Sequence, residues 1–214
     1  MCGLFFFLLC HFSSNVLAQT REISDQEFKK AKDSAYQKTS AENYRTTLKS
    51  QHFYNISDKE PYFQRNVITE HTKNGYHEIL EDIRGSKIER SETIEIKKRK
   101  YLKKSNGKWK DITDEVSGGL FSATVIENKE TTEQRYLGKQ TIKGQAVDVY
   151  EQKITRKYED SEGLSVNEEK IWIDQKGRFI MTETKSRIGD KNIFQMTVVY
   201  EYDPRIKIAA PKIK

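Results

Sequence analysis

The sequence predicts a mostly β protein of the α+β class: a strongly curved antiparallel sheet, forming an unclosed β-barrel, with an N-terminal amphipathic helix on its concave side. Three observations predict it. Residues 192–202 alternate between apolar and polar side chains, as a strand with one buried face requires. Asn-Gly pairs at Asn74-Gly75 and Asn106-Gly107 separate other strand-like segments. A capped, amphipathic helical segment follows Ser24.

The first 18 residues have the features of a secretory signal peptide. An apolar run covers residues 4–9, and Val16-Leu17-Ala18 precedes Gln19 as an expected cleavage site. A transmembrane anchor is the alternative, but the run is far shorter than the about 20 residues that span a bilayer. We therefore expect cleavage after Ala18, a periplasmic or secreted protein, and one domain over residues 19–214.

Both cysteines, Cys2 and Cys10, lie in the predicted signal peptide. The exported chain is then expected to contain no disulfide, so its stability depends on a hydrophobic core. Cys10 follows Leu8-Leu9 rather than the small residues that precede a bacterial lipidation cysteine. We therefore expect a protein without a lipid anchor.

The composition favours a folded sheet with a solvated face. Hydrophobic residues make up 35% of the chain and charged residues 33%, yet the chain contains 11 Tyr, 10 Phe and only 3 Pro. Apolar residues are therefore spaced along the chain rather than missing from it, which argues against disorder. Spacing at every second position is typical of antiparallel sheets with one wet face.

The predicted helix covers residues 25–42 and has a well-marked start. Ser24 and Glu27 form a capping box, and Ile23 and Phe28 occupy the positions of a hydrophobic staple. The apolar stripe consists of Phe28, Ala31, Ala35 and Thr39. We expect this stripe to pack on the sheet.

The rest of the chain predicts an antiparallel meander. Its predicted strands are residues 62–72, 76–84, 97–104, 108–112, 146–158, 165–174, 179–188 and 192–202. At the two Asn-Gly pairs we expect the positive φ angles of a two-residue hairpin turn. Residues 115–133 are the least regular region, where we expect a short helix or a flap.

Several strand and turn motifs resemble a known family. They are Tyr136-Leu-Gly-Lys139, Val147-Asp-Val-Tyr150, Ile171-Trp-Ile-Asp174 with Gly177 in the next turn, and Tyr200-Glu-Tyr-Asp-Pro204. Over about residues 24–204 the chain resembles the LolA/LolB-like superfamily of periplasmic lipoprotein carriers. The resemblance implies an open barrel plugged by helices, with lipid acyl chains held in the cavity between them.

The resemblance implies a cavity lined by aromatic, Met and aliphatic side chains. The expected ligand-binding residues are Phe28, Trp172, Phe179, Met181, Phe194, Met196, Val198 and Tyr200. The alternative is that these side chains pack directly against the helix and leave no cavity. In the predicted strand 146–158, apolar and charged side chains occur together at alternate positions, that is, on one face. This implies a smaller or more polar cavity than in a dedicated carrier.

A basic segment is the main electrostatic feature of a chain whose formal net charge is +6. Between residues 97 and 110 there are eight basic and no acidic residues. The candidates for contact with an anionic membrane surface are Lys97, Lys98, Arg99, Lys100, Lys103 and Lys104. The alternative is that they only keep an edge strand soluble.

The sequence favours binding over catalysis. His52, His71 and His77 match no metal motif. His71 and His77 flank a predicted turn, where we expect a surface pair rather than a site. We expect no cofactor, no metal and no nucleic-acid partner. The function predicted is a non-catalytic periplasmic carrier or binding protein for a lipid or lipoprotein acyl chain. The alternative is an envelope sensor or protein-interaction module on the same fold, with an envelope protein as its partner.

Overall fold

A computed structural model describes residues 20–105, 107–115, 129–157 and 164–213. Within these ranges the chain forms one helix and one twelve-stranded antiparallel sheet that does not close. The predicted fold class is therefore confirmed. The elements are β1 Arg21–Glu22, α1 Asp25–Ser40, β2 Tyr44–Asn55, β3 Phe63–Thr72, β4 Gly75–Arg84, β5 Lys87–Ile96, β6 Arg99–Lys104, β7 Lys110–Asp111, β8 Lys129–Ile142, β9 Gln145–Lys157, β10 Leu164–Asp174, β11 Phe179–Ile188 and β12 Lys191–Tyr202.

The sheet consists of two meanders that meet at its centre. Strands β2 to β7 follow one another on one side, and β8 to β12 follow one another on the other. The two meanders join where β12 pairs with β2, from Tyr202 opposite Tyr44 to Lys191 opposite Asn55. The strand with the clearest alternation is therefore the last in the chain but lies in the middle of the sheet.

The two edges of the sheet are the shortest strands. β1 pairs with β8 at one edge, and β7 pairs with β6 at the other; each has two residues. Short edge strands offer few unpaired backbone groups to a neighbouring molecule.

Helix α1 begins as the sequence predicts. The Glu27 amide donates to Ser24 Oγ over 3.1 Å, and Ile23 and Phe28 share one buried cluster. The other half of the predicted capping box does not form, because the Glu27 carboxylate accepts from Arg21 instead of the Ser24 amide. The helix ends at Ser40, two residues before the predicted Glu42. Glu42 instead turns towards the sheet, where its carboxylate accepts from Arg178 Nη1 over 2.8 Å.

A buried polar network attaches the end of the helix to the sheet. The Phe179 amide donates to Thr39 Oγ1, while the Tyr202 hydroxyl donates to the Phe179 carbonyl over 2.7 Å. The Arg178 guanidinium lies 3.9 Å from the centre of the Tyr202 ring and donates to Asp174. Burial raises the pKa of Tyr202, so its hydroxyl remains a donor at neutral pH.

Three long strands, β2, β5 and β8, and the short β1 were not predicted. In β2 and β5 polar residues interrupt the alternation of apolar side chains on one face. They are Thr46 and Ser50 in β2, and Arg90 and Glu92 in β5. These segments form strands because they pair with neighbouring strands, and their own hydrophobic pattern does not predict it. β8 begins at Lys129, inside the region predicted to be irregular.

Some predicted features lie outside the described residues. They are the signal segment with both cysteines, residues 116–128 with Gly118-Gly119, Asn106, and the turn at residues 161–163.

Two predictions about turns were wrong in detail. The Asn74-Gly75 hairpin exists, but neither residue has a positive φ. Gly75 is needed because a Cβ there would lie 1.9 Å from the carbonyl oxygen of Glu95 on the next strand. Positive φ angles occur instead at Lys97 and Lys98, which form the turn before β6 and shorten the strand predicted from residue 97. Of the strand predicted at 108–112, only Lys110–Asp111 forms.

Candidate functional site

Alternation along the strands divides the sheet into two faces. We call the face in contact with α1 the helix face and the opposite one the outer face. Ile171 and Ile173 pack in one cluster with Phe28 and Ala35 of the helix, so they lie on the helix face. Trp172, between them in sequence, belongs to a different cluster and lies on the outer face.

The helix covers one half of the helix face tightly. Phe28 is 2% exposed, and Ala35 and Ile171 are fully buried. Tyr136, Tyr150 and Tyr200 pack around this cluster. The apolar side chains of this half are therefore occupied by the helix.

Beneath the helix, Tyr136 and Tyr150 add polar contacts. The Tyr136 hydroxyl donates to Asp148 over 2.6 Å. Burial, together with the hydrogen bond to Asp148, raises the pKa of Tyr136 to about 12. Both rings contribute hydroxyl groups to the edge of the helix-covered half, which distinguishes it from a plain hydrocarbon core.

The other half of the helix face has no helix on it in the described structure. We call it the open half: the helix-face side chains of β2 to β6, together with those of Phe194, Met196 and Val198 on β12. An apolar row crosses its centre because Val198, Leu48, Val67 and Leu80 stand opposite one another on four neighbouring strands. With strands about 4.8 Å apart, the row is about 14 Å long.

The centre of the open half is half-buried or buried, whereas Arg84, Lys87 and Glu89 at its end are exposed. Val67 is 8% and Ser50 4% exposed although neither belongs to the helix cluster. The open half is thus a preformed, partly dehydrated surface.

Aromatic rings stand at both ends of the open half. At one end the His52 ring lies 4.9 Å from Phe194 and 5.1 Å from Phe63, measured between ring centres. At the other end His71 stacks on Tyr44 at 4.5 Å. Burial lowers the pKa of both histidines, and nearby Arg65 lowers that of His52 further. Both imidazoles are therefore neutral at neutral pH.

Two arginines flank the Phe63 ring at the first end. Their guanidinium carbons lie 5.5 Å (Arg65) and 5.3 Å (Arg84) from the ring centre. Asp82 accepts two hydrogen bonds from Arg65, of 2.6 and 2.8 Å, and these hold the pKa of Asp82 below its usual value. Among the described residues, no carboxylate lies within 4 Å of Arg84.

The structure divides the eight predicted ligand-binding residues into three groups. Phe28, Phe179 and Tyr200 belong to the cluster under the helix. Trp172 and Met181 pack on the outer face with Val147 and Val149. Phe194, Met196 and Val198 lie on the open half. Of these three residues Phe194 and Met196 are half-buried and Val198 is buried, and none belongs to the cluster under the helix.

Sequence analysis missed the residues that complete the open half. Leu48 and His52 belong to β2, which was not predicted. The strands β3 and β4 were predicted, but not which of their side chains face inward; those that do include Phe63, Val67 and Leu80. Pairing a second strand with 192–202 would have identified them. The sequence contains no signal for that pairing, because the two strands are about 140 residues apart along the chain.

The basic segment does not form one patch. Lys97 and Lys98 lie in a turn. Along β6, Arg99 and Lys103 point to the face opposite that of Lys100 and Lys104. Lys103 lies 3.6 Å from Glu92 on the neighbouring strand. Contact with an anionic membrane would thus involve an edge of the sheet rather than a face.

A cleft of about 330 Å³ lies on the outer face. Most of its charged wall is already paired: Arg45 donates to Glu70, and His77 Nε2 lies 2.8 Å from Glu92. His71 lies on the opposite face, so the two histidines that flank the turn do not meet. In the described part of the chain no group of His, Cys, Asp and Glu side chains could hold a metal ion.

Within the described ranges, no helix is long and apolar enough to cross a membrane. Searches against models of protein families and against curated proteins give no match to this chain. The resemblance to the lipoprotein carriers therefore stays a prediction.

Proposed function

We propose that this protein is a non-catalytic carrier or binding protein that holds an acyl chain on the open half of the helix face. The observation that supports the proposal is the apolar row of Val198, Leu48, Val67 and Leu80, left uncovered by α1 and bordered by aromatic rings at both ends. A second apolar line, Phe194, Met196 and Val198, runs along β12 for about 13 Å.

The energetics favour an alkyl chain over a polar ligand. Each methylene removed from water contributes about 0.8 kcal/mol, and the centre of the open half is already partly dehydrated. On β2 and β3 the buried polar side chains, Ser50 and Thr69, are 4% and 8% exposed and offer little to a polar ligand. The same face carries Glu78 on β4 and Glu95 on β5, so the alkyl chain would lie over β12, β2 and β3. Met196 adds a soft, adaptable side chain suited to chains of variable shape.

We also propose that the protein acts after export, with residues 1–18 as the signal peptide, in the periplasm or outside the cell. An acyl chain moved through water between membranes needs shielding, and this would explain a solvated sheet with one apolar face. Delivery at an anionic membrane would use the basic edge around β6.

Calorimetric titration with decanol, an uncharged ten-carbon chain, tests the proposal. We expect Leu48→Gln to weaken decanol binding about tenfold, because its amide would be buried beneath the chain. Ile79→Gln is the matched control: Ile79 is also a half-buried aliphatic residue of a central strand, but on the outer face. It should bind decanol like the wild type.

No binding of decanol, or equal weakening in both variants, would contradict the proposal. Native mass spectrometry after gentle purification gives an independent readout, since a carrier should retain endogenous lipid. A protein free of lipid but bound to an envelope protein would favour the sensor or interaction module instead.

A further inference from the structure

The end of the open half at Phe63 differs from its centre because it is cationic. Three basic side chains, Arg65, Arg84 and Lys87, point to the helix face here, against the two carboxylates of Asp82 and Glu89. His52 beside them is neutral at neutral pH. The group therefore has one positive charge in excess.

The excess charge is located at Arg84. Asp82 holds the guanidinium of Arg65 with two hydrogen bonds, and Glu89 pairs with Lys87 over 2.6 Å. Arg84 is exposed, and in the described structure no carboxylate lies within 4 Å of it. Its guanidinium is positioned by the Phe63 ring at 5.3 Å, which leaves its N–H groups available to a ligand.

This cation lies at the end of an apolar path. Phe63 stands opposite His52, and His52 opposite Phe194. From there the side chains of Met196 and Val198 continue along the same face towards Leu48. A ligand with a negative head at Arg84 would place its tail over these residues.

We infer that the ligand is a fatty acid, with its carboxylate bound by Arg84 and its alkyl chain lying along β12 and β2. The inference rests on the proposed function and specifies its substrate class. One excess positive charge matches a monoanion, and the carboxylates of Asp82 and Glu89 disfavour the dianion of a phosphate monoester. Arginine binds a carboxylate in a planar, bidentate arrangement.

The test compares decanoate with decanol, which have the same chain and differ in the head group. We expect the wild type to bind decanoate about tenfold more tightly than decanol at low salt, and the difference to shrink as salt increases. Arg84→Gln should remove the preference, so that decanoate and decanol bind this variant with equal affinity. Arg84→Lys, which keeps the charge, should retain part of it.

Arg90→Gln is the control, because it removes one positive charge from the outer face near the same end of the sheet. It should keep the preference for decanoate. The urea midpoint of Arg84→Gln should fall only slightly, since the side chain is exposed and loses its contact with the Phe63 ring but no carboxylate pair of the described residues.

The outcomes separate this inference from the proposed function. Equal binding of decanol and decanoate, or a preference unaffected by Arg84→Gln, would overturn the fatty-acid head group while the acyl-chain proposal stands. Tighter binding of decyl phosphate than of decanoate would overturn the choice of a carboxylate. Failure of both decanol and decanoate to bind would overturn the proposed function itself.

Discussion

At the scale of single residues, the two histidines of the open half determine the polarity of its ends. His52 lies among Phe63, Phe194 and Tyr62, and His71 lies between Tyr44 and Tyr76. Protonation would place a charge within each aromatic group, and burial disfavours this. Because His52 is neutral, the positive charge at the Phe63 end comes from Arg84, and the neutral His71 leaves the other end suitable for an alkyl chain.

The lowered pKa values predict a pH dependence of stability. Histidine has a pKa near 6.5 in the unfolded chain, whereas in the folded protein the pKa values of His52 and His71 are lower. Just below pH 6.5 the unfolded state therefore binds more protons, and the free energy of unfolding decreases as the pH falls. The decrease levels off once the pH is below the folded pKa values.

We expect the double variant His52→Gln, His71→Gln to show a flatter pH profile than the wild type between pH 7 and 5. Urea unfolding at half-unit pH steps measures it, and the single variants separate the two contributions. Parallel profiles for the wild type and the double variant would show that burial of these rings does not control protonation.

At the scale of elements, the turn between β5 and β6 has an unusual composition. Lys97 and Lys98 have φ angles of 50° and 66°, the left-handed region that Asn and Gly adopt more easily. Lysine is conformationally strained in this region, and the sequence predicted that a strand begins at residue 97 instead of a turn. The turn is also hydrogen-bonded to the neighbouring β3–β4 turn, because the Lys97 amide donates to the Asn74 carbonyl over 3.3 Å.

Replacing this pair by Asn-Gly, Lys97→Asn with Lys98→Gly, should increase the free energy of unfolding by about 1–2 kcal/mol, because the left-handed strain is relieved. Urea denaturation measures the change. The control Lys97→Gln with Lys98→Gln removes the same charges and keeps the side-chain strain. If the control stabilises the protein equally, charge repulsion rather than the backbone is the cause.

Elements with local signals were predicted well. The N-cap of Ser24 and the staple of Ile23 and Phe28 depend on neighbours within one helical turn, and both are present. The Glu27 side chain, predicted to complete the capping box, binds Arg21 instead. β2 was missed because its stability derives from pairing with β3 and β12 rather than from its own pattern. The sequence correctly predicted that the hairpin needs a glycine at position 75, but for a positive φ angle. The glycine is needed because the backbone of Glu95 lies close to it, and Glu95 belongs to another strand.

At the scale of the whole molecule, the two halves of the sheet differ in their support. Val149 of β9 and Ile171 of β10 are fully buried, and α1 covers Ile171. In β5 and β6, Ile94 and Tyr101 are the only side chains classed as buried, and no helix packs on those strands in the described structure. We therefore expect the second meander, β8 to β12, to be the more rigid part of the sheet.

Hydrogen exchange measures this difference. We expect central backbone amides of β9 and β10 to exchange at least about tenfold more slowly than those of β5 and β6, since local opening there must also detach the helix. Mass spectrometry of peptic peptides resolves the two regions. Equal protection would indicate that the sheet opens as one cooperative unit and that the helix adds no local stability.

The sequence by itself determined the class of the fold, the start of the helix and most of the hairpins, because caps, turns and strand alternation act over a few residues. The tertiary structure alone decided that β12 pairs with β2, which side chains face the helix, and that Trp172 and Met181 lie away from Phe179. A strand places neighbouring residues on opposite faces, so the composition of a face depends on register with distant strands. The candidate site, from Leu48 to Arg84 beside Val198, exists only once that register is set.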